Sequence, residues 1–281
     1  MSQRRQESHK ISCGENSSLN FYLSHGEPGY DFAVLYVHGL GSAWSGEKSR
    51  ALEAACARRG WNFAAFDFRG HGASSGSLSE MSGSSLLADL EAVDSYLAGS
   101  GIARILPVGS SMGAWTAAWF TLRHPHRVPA CVLIAPAFDF PSSHWNRLSE
   151  REQIAWKQTG RCRIQNEWLD TEIGFCLVAE AHDFPVESLT ARWYKPALIF
   201  HGMQDDIVPY RTSIELIDRV ACPAVELHLF KCGDHRLVNF KEEIAEGACR
   251  FLARWGTASE PQRADAAHSW TTMKPPKELA K

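Results

Sequence analysis

Apolar residues along this chain gather in short uninterrupted blocks, and between the blocks they recur every three or four positions. The blocks over 19–23, 32–37, 62–66, 105–108, 131–135, 197–200 and 225–230 are too short for buried helices and predict strands. The periodic stretches over 47–59, 86–97, 115–123, 211–220 and 240–255 predict helices with one apolar face. Such alternation specifies an α/β fold, with a mostly parallel sheet covered by helices on both faces. Pro107 is awkward in that scheme because it forfeits a ladder hydrogen bond in a central strand. The pattern offers no reason for it beyond a small bulge.

The switch from strand to helix around residue 111 carries the candidate chemistry. The block ending at Val108 leads into Gly109-Ser110-Ser111-Met112-Gly113, and the helical pattern follows at once. A strand, tight turn and helix around G-x-S-x-G make a nucleophile elbow, in which the serine sits at strained backbone angles at the top of the sheet. Glycines on either side let strand and helix approach it. By itself the pentapeptide also fits a flexible loop, so its weight depends on partners elsewhere in the chain.

An activated serine needs a base, and the base needs a carboxylate to fix its tautomer and stabilise its cation. The strand at 197–200 runs into His201-Gly202-Met203-Gln204-Asp205-Asp206, which puts an acid in a post-strand loop. The strand at 225–230 is followed by Lys231-Cys232-Gly233-Asp234-His235, which makes His235 the candidate base. The residues leave Asp205 and Asp206 both open as the acid, since adjacent side chains point in different directions. Asp234 adjoins His235 and is expected to brace or cap the loop. The other histidines among the twelve are expected to be structural or solvent-facing.

Acyl chemistry also needs donors for a developing oxyanion. Met112 N–H follows the nucleophile directly, and the loop His38-Gly39-Leu40-Gly41-Ser42 follows an early strand, which makes Leu40 N–H the second candidate. A glycine-rich loop, Phe66 to Gly76, lacks the Gly-Lys-Ser/Thr ending of a phosphate-binding loop. A structural loop beside the site is expected there, braced by Asp67 and Arg69.

With these segments in this order, the chain resembles the α/β-hydrolase superfamily from about Leu19 to Trp255. Gly109 to Trp115, the stretch His201 to Pro209 with Tyr210 to Ser213, and Asp234-His235-Arg236 are most similar to the small serine hydrolases that include the mammalian mitochondrial acyl-protein thioesterase and acyl-glucuronide esterase. His38-Gly39-Leu40-Gly41 departs from them toward common bacterial esterases. The resemblance implies Ser111 as nucleophile, Asp205 as acid and His235 as base, acting on an acyl ester or thioester, small or protein-linked, without metal or organic cofactor. It also implies a cap inserted after the strand at 131–135. The pause in alternation at about 140–194 fits that place, within a single domain over 1–256 followed by a flexible tail over 257–281. Trp145, Trp156, Trp168 and Phe175 are each expected in the cap's own small core, and together they favour an apolar acyl group. Arg147, Arg151, Arg161 and Arg163 are expected on a solvated face.

Composition narrows the alternatives. At 281 residues and 44% hydrophobic, the chain can bury a sizeable core. A formal net charge of -3 with dispersed basic residues gives no nucleic-acid footprint. No apolar run reaches the roughly 18 residues that span a bilayer. Eight cysteines lack metal-type spacing, so reduced, partly buried thiols and a cytoplasmic location are expected. A peptidase, an acyltransferase or a non-catalytic binding protein on the same scaffold are the competing classes. The sequence carries no statement about oligomeric state.

Overall fold

The computed structural model describes residues 4–14, 17–165 and 169–255. Among them, strands β1 (Gln6–Gly14), β2 (Ser17–Ser24), β3 (Phe32–Val37), β4 (Asn62–Phe66), β5 (Arg104–Ser110) and β6 (Cys131–Ile134) precede a small hairpin, β7 (Arg161–Gln165) and β8 (Asp170–Gly174). Strands β9 (Ala197–Gly202) and β10 (Val225–Phe230) follow it. Eight of them form one sheet in the order β1-β2-β4-β3-β5-β6-β9-β10, parallel from β4 to β10 and antiparallel at the β1–β2–β4 end. The mostly parallel α/β sheet expected from the alternation is therefore present.

Side-chain alternation divides each central strand between two cores. Ala33, Leu35 and Val37 of β3 pack with helices α2 (Gly83–Gly99) and α3 (Met112–Arg123), while Val34 and Tyr36 pack with α1 (Glu47–Arg58) and α9 (Lys241–Trp255). All six residues of β3 are buried, as a strand covered on both faces requires. The buried cysteines Cys56, Cys131 and Cys249 take part in these cores, and all eight thiols are free. No helix among the described residues is long and apolar enough to cross a membrane.

Three features differ from the sequence expectation. Strand β1 was absent from it, because in that edge strand Ile11 is the sole buried side chain and the hydrophobic signal is correspondingly thin. Helix α2 begins before residue 86, at Gly83, since Ser82 and Ser85 form a reciprocal capping box with hydrogen bonds of 3.2 and 2.9 Å. At Pro107 there is no bulge: the β3–β5 register runs unbroken from Phe32 opposite Arg104 to Val37 opposite Gly109. The N–H groups of Ile105 and Ser111 point toward the β6 side, to Arg127 and Ile134 carbonyls. Pro107, two residues from Ile105, faces the same way, and the β6 ladder begins only at Val108 opposite Val132. The missing N–H falls below the start of that ladder.

The segment between β6 and β9 contains α4 (Phe140–Ser143), α5 (Glu150–Thr159), the β7–β8 hairpin, α6 (Cys176–Ala179) and α7 (Val186–Ala191). Trp156 is 2% exposed and sits among Trp145, Phe175 and His144, so this insertion has its own aromatic core. Phe140 and Phe184 carry that core down onto Trp115 of α3. Arg163 pairs with Asp170 across the hairpin at 2.5 Å, and Arg161 lies 3.8 Å from Glu172. At the hairpin's end Leu169 packs on Gly41. Trp168 and the tail after residue 255 lie outside the described residues.

Candidate active site

Ser111 links β5 to α3 at φ 55° and ψ −115°, a conformation that costs a side-chain-bearing residue about 1–3 kcal/mol. The surroundings fix it there. Ser111 N–H donates to Ile134 C=O at 2.8 Å, and its own C=O accepts from Ala114 N–H at 3.0 Å and Trp115 N–H at 3.1 Å. The two glycines are required by close approach. A Cβ on Gly109 would stand 2.6 Å from Ala114 Cα, and one on Gly113 would overlap the Val37 and His38 carbonyls.

Two loops at the same end of the sheet bring the other candidates to Ser111. Strand β9 continues through His201 and Gly202, beyond the expected end at 200, and Gln204 N–H donates to Gly233 C=O at 2.8 Å. A Cβ on Gly202 would overlap Gly233, so the acid loop and the histidine loop lie backbone to backbone. His235 Nε2 is 3.0 Å from Ser111 Oγ, and His235 Nδ1 is 2.7 Å from Asp205 Oδ2. Asp206 is exposed, and Asp234 Oδ1 accepts from Leu237 N–H at 2.8 Å within its own loop. Of the two neighbouring carboxylates, the geometry therefore brings Asp205 to the imidazole.

The Asp205 side chain is sealed from solvent. Burial alone would raise its carboxyl, yet hydrogen bonds from His201 and His235, the charge of His235 and the Val208 N–H hold it well below the usual carboxylate range. Its other oxygen, Oδ1, accepts from Ile207 N–H at 2.9 Å and Val208 N–H at 2.7 Å.

The loop after β3 lies against the elbow. A Cβ on Gly39 would stand 3.3 Å from Ser111 Cβ, so the loop that continues into Leu40 lies against Ser111, and Met112 opens α3 directly after it. His38 holds this loop. Its Nδ1–H donates to Gly39 C=O at 2.8 Å and its Nε2 accepts from Phe68 N–H at 3.1 Å, which fixes a neutral tautomer. Burial, with His71 beside it, keeps that imidazole well below the ordinary histidine range. Asp67 braces the neighbouring loop through Trp44 N–H at 2.8 Å and Ala73 N–H at 3.1 Å, and Arg69 Nε donates to Asp89 at 2.5 Å.

Sequence reasoning singled out neither His38 nor His201, whose signal is a histidine closing an apolar strand just before a functional loop. It also missed that Arg147 of the insertion donates to Ile207 C=O, within the acid loop. Lys48, at the start of α1, donates to Arg236 C=O at 2.6 Å and so ties α1 to the histidine loop. Among the described residues no group of three His, Cys, Asp or Glu side chains could hold a metal ion. A hydroxyl, an imidazole and a buried carboxylate in hydrogen-bond series, beside the first N–H of a helix, can deprotonate the hydroxyl and stabilise an anion forming next to it.

A sequence model of the α/β hydrolase fold matches residues 33–159. The bovine mitochondrial palmitoyl-protein thioesterase ABHD10 is 30% identical over 217 residues, covering 73% of this chain and 67% of the bovine protein. Its human counterpart is 27% identical over 239 residues, covering 80% and 76%. Among solved structures, mouse α/β hydrolase domain-containing protein 10 superposes with a TM-score of 0.70 at 25% identity, covering 88% of this chain and 97% of the mouse chain. Est1E from Butyrivibrio proteoclasticus, with ferulic acid bound, gives a TM-score of 0.77 at 20% identity, covering 89% and 100%. The sheet order, the strained serine turn and these matches agree, and the chain belongs to the α/β-hydrolase family.

Proposed function

We propose that this chain hydrolyses carboxylic esters or thioesters of an acyl substrate, with Ser111 as nucleophile, His235 as general base and acid, and Asp205 as the carboxylate that orients it. The observation that carries this reading is the continuous series Ser111 Oγ–His235 Nε2 at 3.0 Å and His235 Nδ1–Asp205 Oδ2 at 2.7 Å. A relative named as a palmitoyl-protein thioesterase supports an ester-bond hydrolase, and the aromatic insertion above Trp115 suits an apolar acyl group.

In the proposed reaction Ser111 Oγ attacks the acyl carbonyl carbon while His235 Nε2 takes its proton. The oxyanion is met by Met112 N–H and Leu40 N–H, each worth about 3 kcal/mol of barrier lowering in comparable sites. Collapse breaks the bond to the leaving oxygen or sulfur, and His235 gives its proton to the departing alkoxide or thiolate, which returns the imidazole to its neutral form. An acyl-serine ester remains. Water, deprotonated by His235, attacks it and releases the acid with Ser111 restored.

Hydrolysis of p-nitrophenyl esters from acetyl to palmitoyl, alongside matched acyl thioesters, tests the reading in wild type and Ser111→Ala. Turnover is expected to fall by about 10⁴-fold or more in the variant with folding retained. Near-normal activity would rule out Ser111. The chain-length and sulfur preference of the wild type then defines the substrate class.

A further inference from the structure

His201 is the penultimate residue of strand β9 and its side chain is fully buried, yet it is not an apolar space-filler. Its Nε2 lies 3.0 Å from Val208 C=O and 3.2 Å from Asp205 Oδ2, and its Nδ1 lies 2.7 Å from Ser213 Oγ of α8 (Arg211–Arg219). A carbonyl oxygen only accepts, so Nε2 carries the hydrogen and shares it between Val208 and Asp205. The buried Ser213 hydroxyl, which needs an acceptor for its own hydrogen, then donates to Nδ1. The ring is fixed in one tautomer and one orientation.

Asp205 is thus enclosed by four donors. Two backbone N–H groups hold Oδ1, and two imidazoles, His201 and His235, meet at Oδ2. The backbone pair holds one oxygen, and His201 adds a second anchor at the oxygen that faces the candidate base.

We propose that His201 is a positioning residue for hydrolysis: it aims Asp205 Oδ2 at His235 Nδ1 and shares the negative charge of that oxygen. This rests on the roles given above to Ser111, His235 and Asp205. Hydrogen bonds from both His201 and His235 keep the Asp205 carboxyl low against the opposing effect of burial. Lys48 of α1 interacts electrostatically with Asp205 and also with Arg236 and Asp234 of the histidine loop and Glu47 of α1. Among the described residues, the side-chain hydrogen bonds to Asp205 come from His201 and His235.

Removing His201 returns to His235 the full charge of Oδ2, which favours the protonated imidazole and so moves the acid limb of reactivity to higher pH. The test is the second-order rate of Ser111 labelling by a fluorophosphonate from pH 5 to 9, read with kcat, KM and the melting temperature. The enzymes compared are wild type, His201→Leu and His201→Gln. The leucine variant is expected to move the acid limb up by about half a pH unit or more and to lower the plateau rate and kcat about tenfold, with KM little changed. Glutamine, whose amide N–H can reach the place of Nε2–H, is expected to restore the limb. Ser213→Ala frees the far side of the ring and serves if the leucine variant does not fold; it is expected to move the limb the same way by less.

An acid limb that stays in place or moves down, with only a lower melting temperature, overturns the positioning role and leaves His201 a structural residue. A wild type in which Ser111 is not labelled overturns the Ser111–His235–Asp205 reading, and this inference with it. Labelling of Ser111 with an unmoved limb overturns this inference alone.

Discussion

Leu169 occupies the place that a side chain on Gly41 would take, its Cδ1 2.5 Å from where that Cβ would stand. Leu169, just before β8, therefore rests on the loop that carries Leu40. Gly41 itself has φ +69°, so alanine there adds backbone strain to the collision. Gly41→Ala is expected to lower kcat about 10- to 100-fold through displacement of the proposed oxyanion donor Leu40 N–H, measured on p-nitrophenyl acetate. Leu169→Ala is expected to leave acetate hydrolysis nearly intact and to shift relative kcat/KM among longer acyl esters by about tenfold.

Asp205 and Asp206 provide a comparison one residue apart. Asp205→Asn is expected to lower kcat by about 10⁴-fold, because the amide disturbs the tautomer and orientation of His235. Asp206→Asn, at an exposed position, is expected to change kcat less than about twofold. Steady-state kinetics of the two purified variants decide between them, and the reverse result would transfer the acid role to Asp206.

Gly113→Ala is expected to destabilise the fold by about 3 kcal/mol or more, since its methyl group meets two backbone carbonyls that cannot swing aside. Chemical denaturation against wild type measures this. The same substitution at Gly99, where nothing lies within 4 Å, is the control and is expected to be neutral or mildly stabilising.

Acid sensitivity follows from His38 and His71. Burial lowers the proton affinity of both below the ordinary histidine value of 6.5, so the folded chain keeps them neutral while the unfolded chain takes up protons. At pH values well above 6.5 neither state binds these protons and the pair has no effect. As the pH falls below 6.5 the unfolded state gains, and stability drops by up to about 1.4 kcal/mol per unit for each group. Denaturation midpoints at pH 7.5 and 5.5 are expected to differ in wild type, and to differ less in His38→Gln and His71→Gln.

The serine turn was legible in the sequence because the period changes from strand to helix within five residues, and both glycines have a steric reason to be there. The histidine loop was legible for a similar cause, an alternating strand that stops just before it. The choice between Asp205 and Asp206 was legible only through the family resemblance, since in the residues themselves it depends on β9 running on to Gly202 and on where Gly233 meets it. Strand β1 is written in polar residues with Ile11 as its one buried anchor, and hairpin β7–β8 is half exposed, so neither carries a strong hydrophobic period. Pro107 could be understood only once the start of the β6 ladder was known. His201 looked like one structural histidine among many because its importance lies in three hydrogen bonds to residues brought together by the fold.

The overlap that forbids a side chain on Gly113 joins the serine turn to the end of β3 with no slack between them. A shift of Ser111 would have to carry the loop after β3 with it, so the proposed reacting centre behaves mechanically as one block. Adaptation to new substrates is thereby steered away from that block. In a laboratory evolution experiment, gains on bulkier acyl groups should accumulate between residues 140 and 194, whose side chains pack on Trp115 and Gly41, and the turn around Ser111 should come through unchanged.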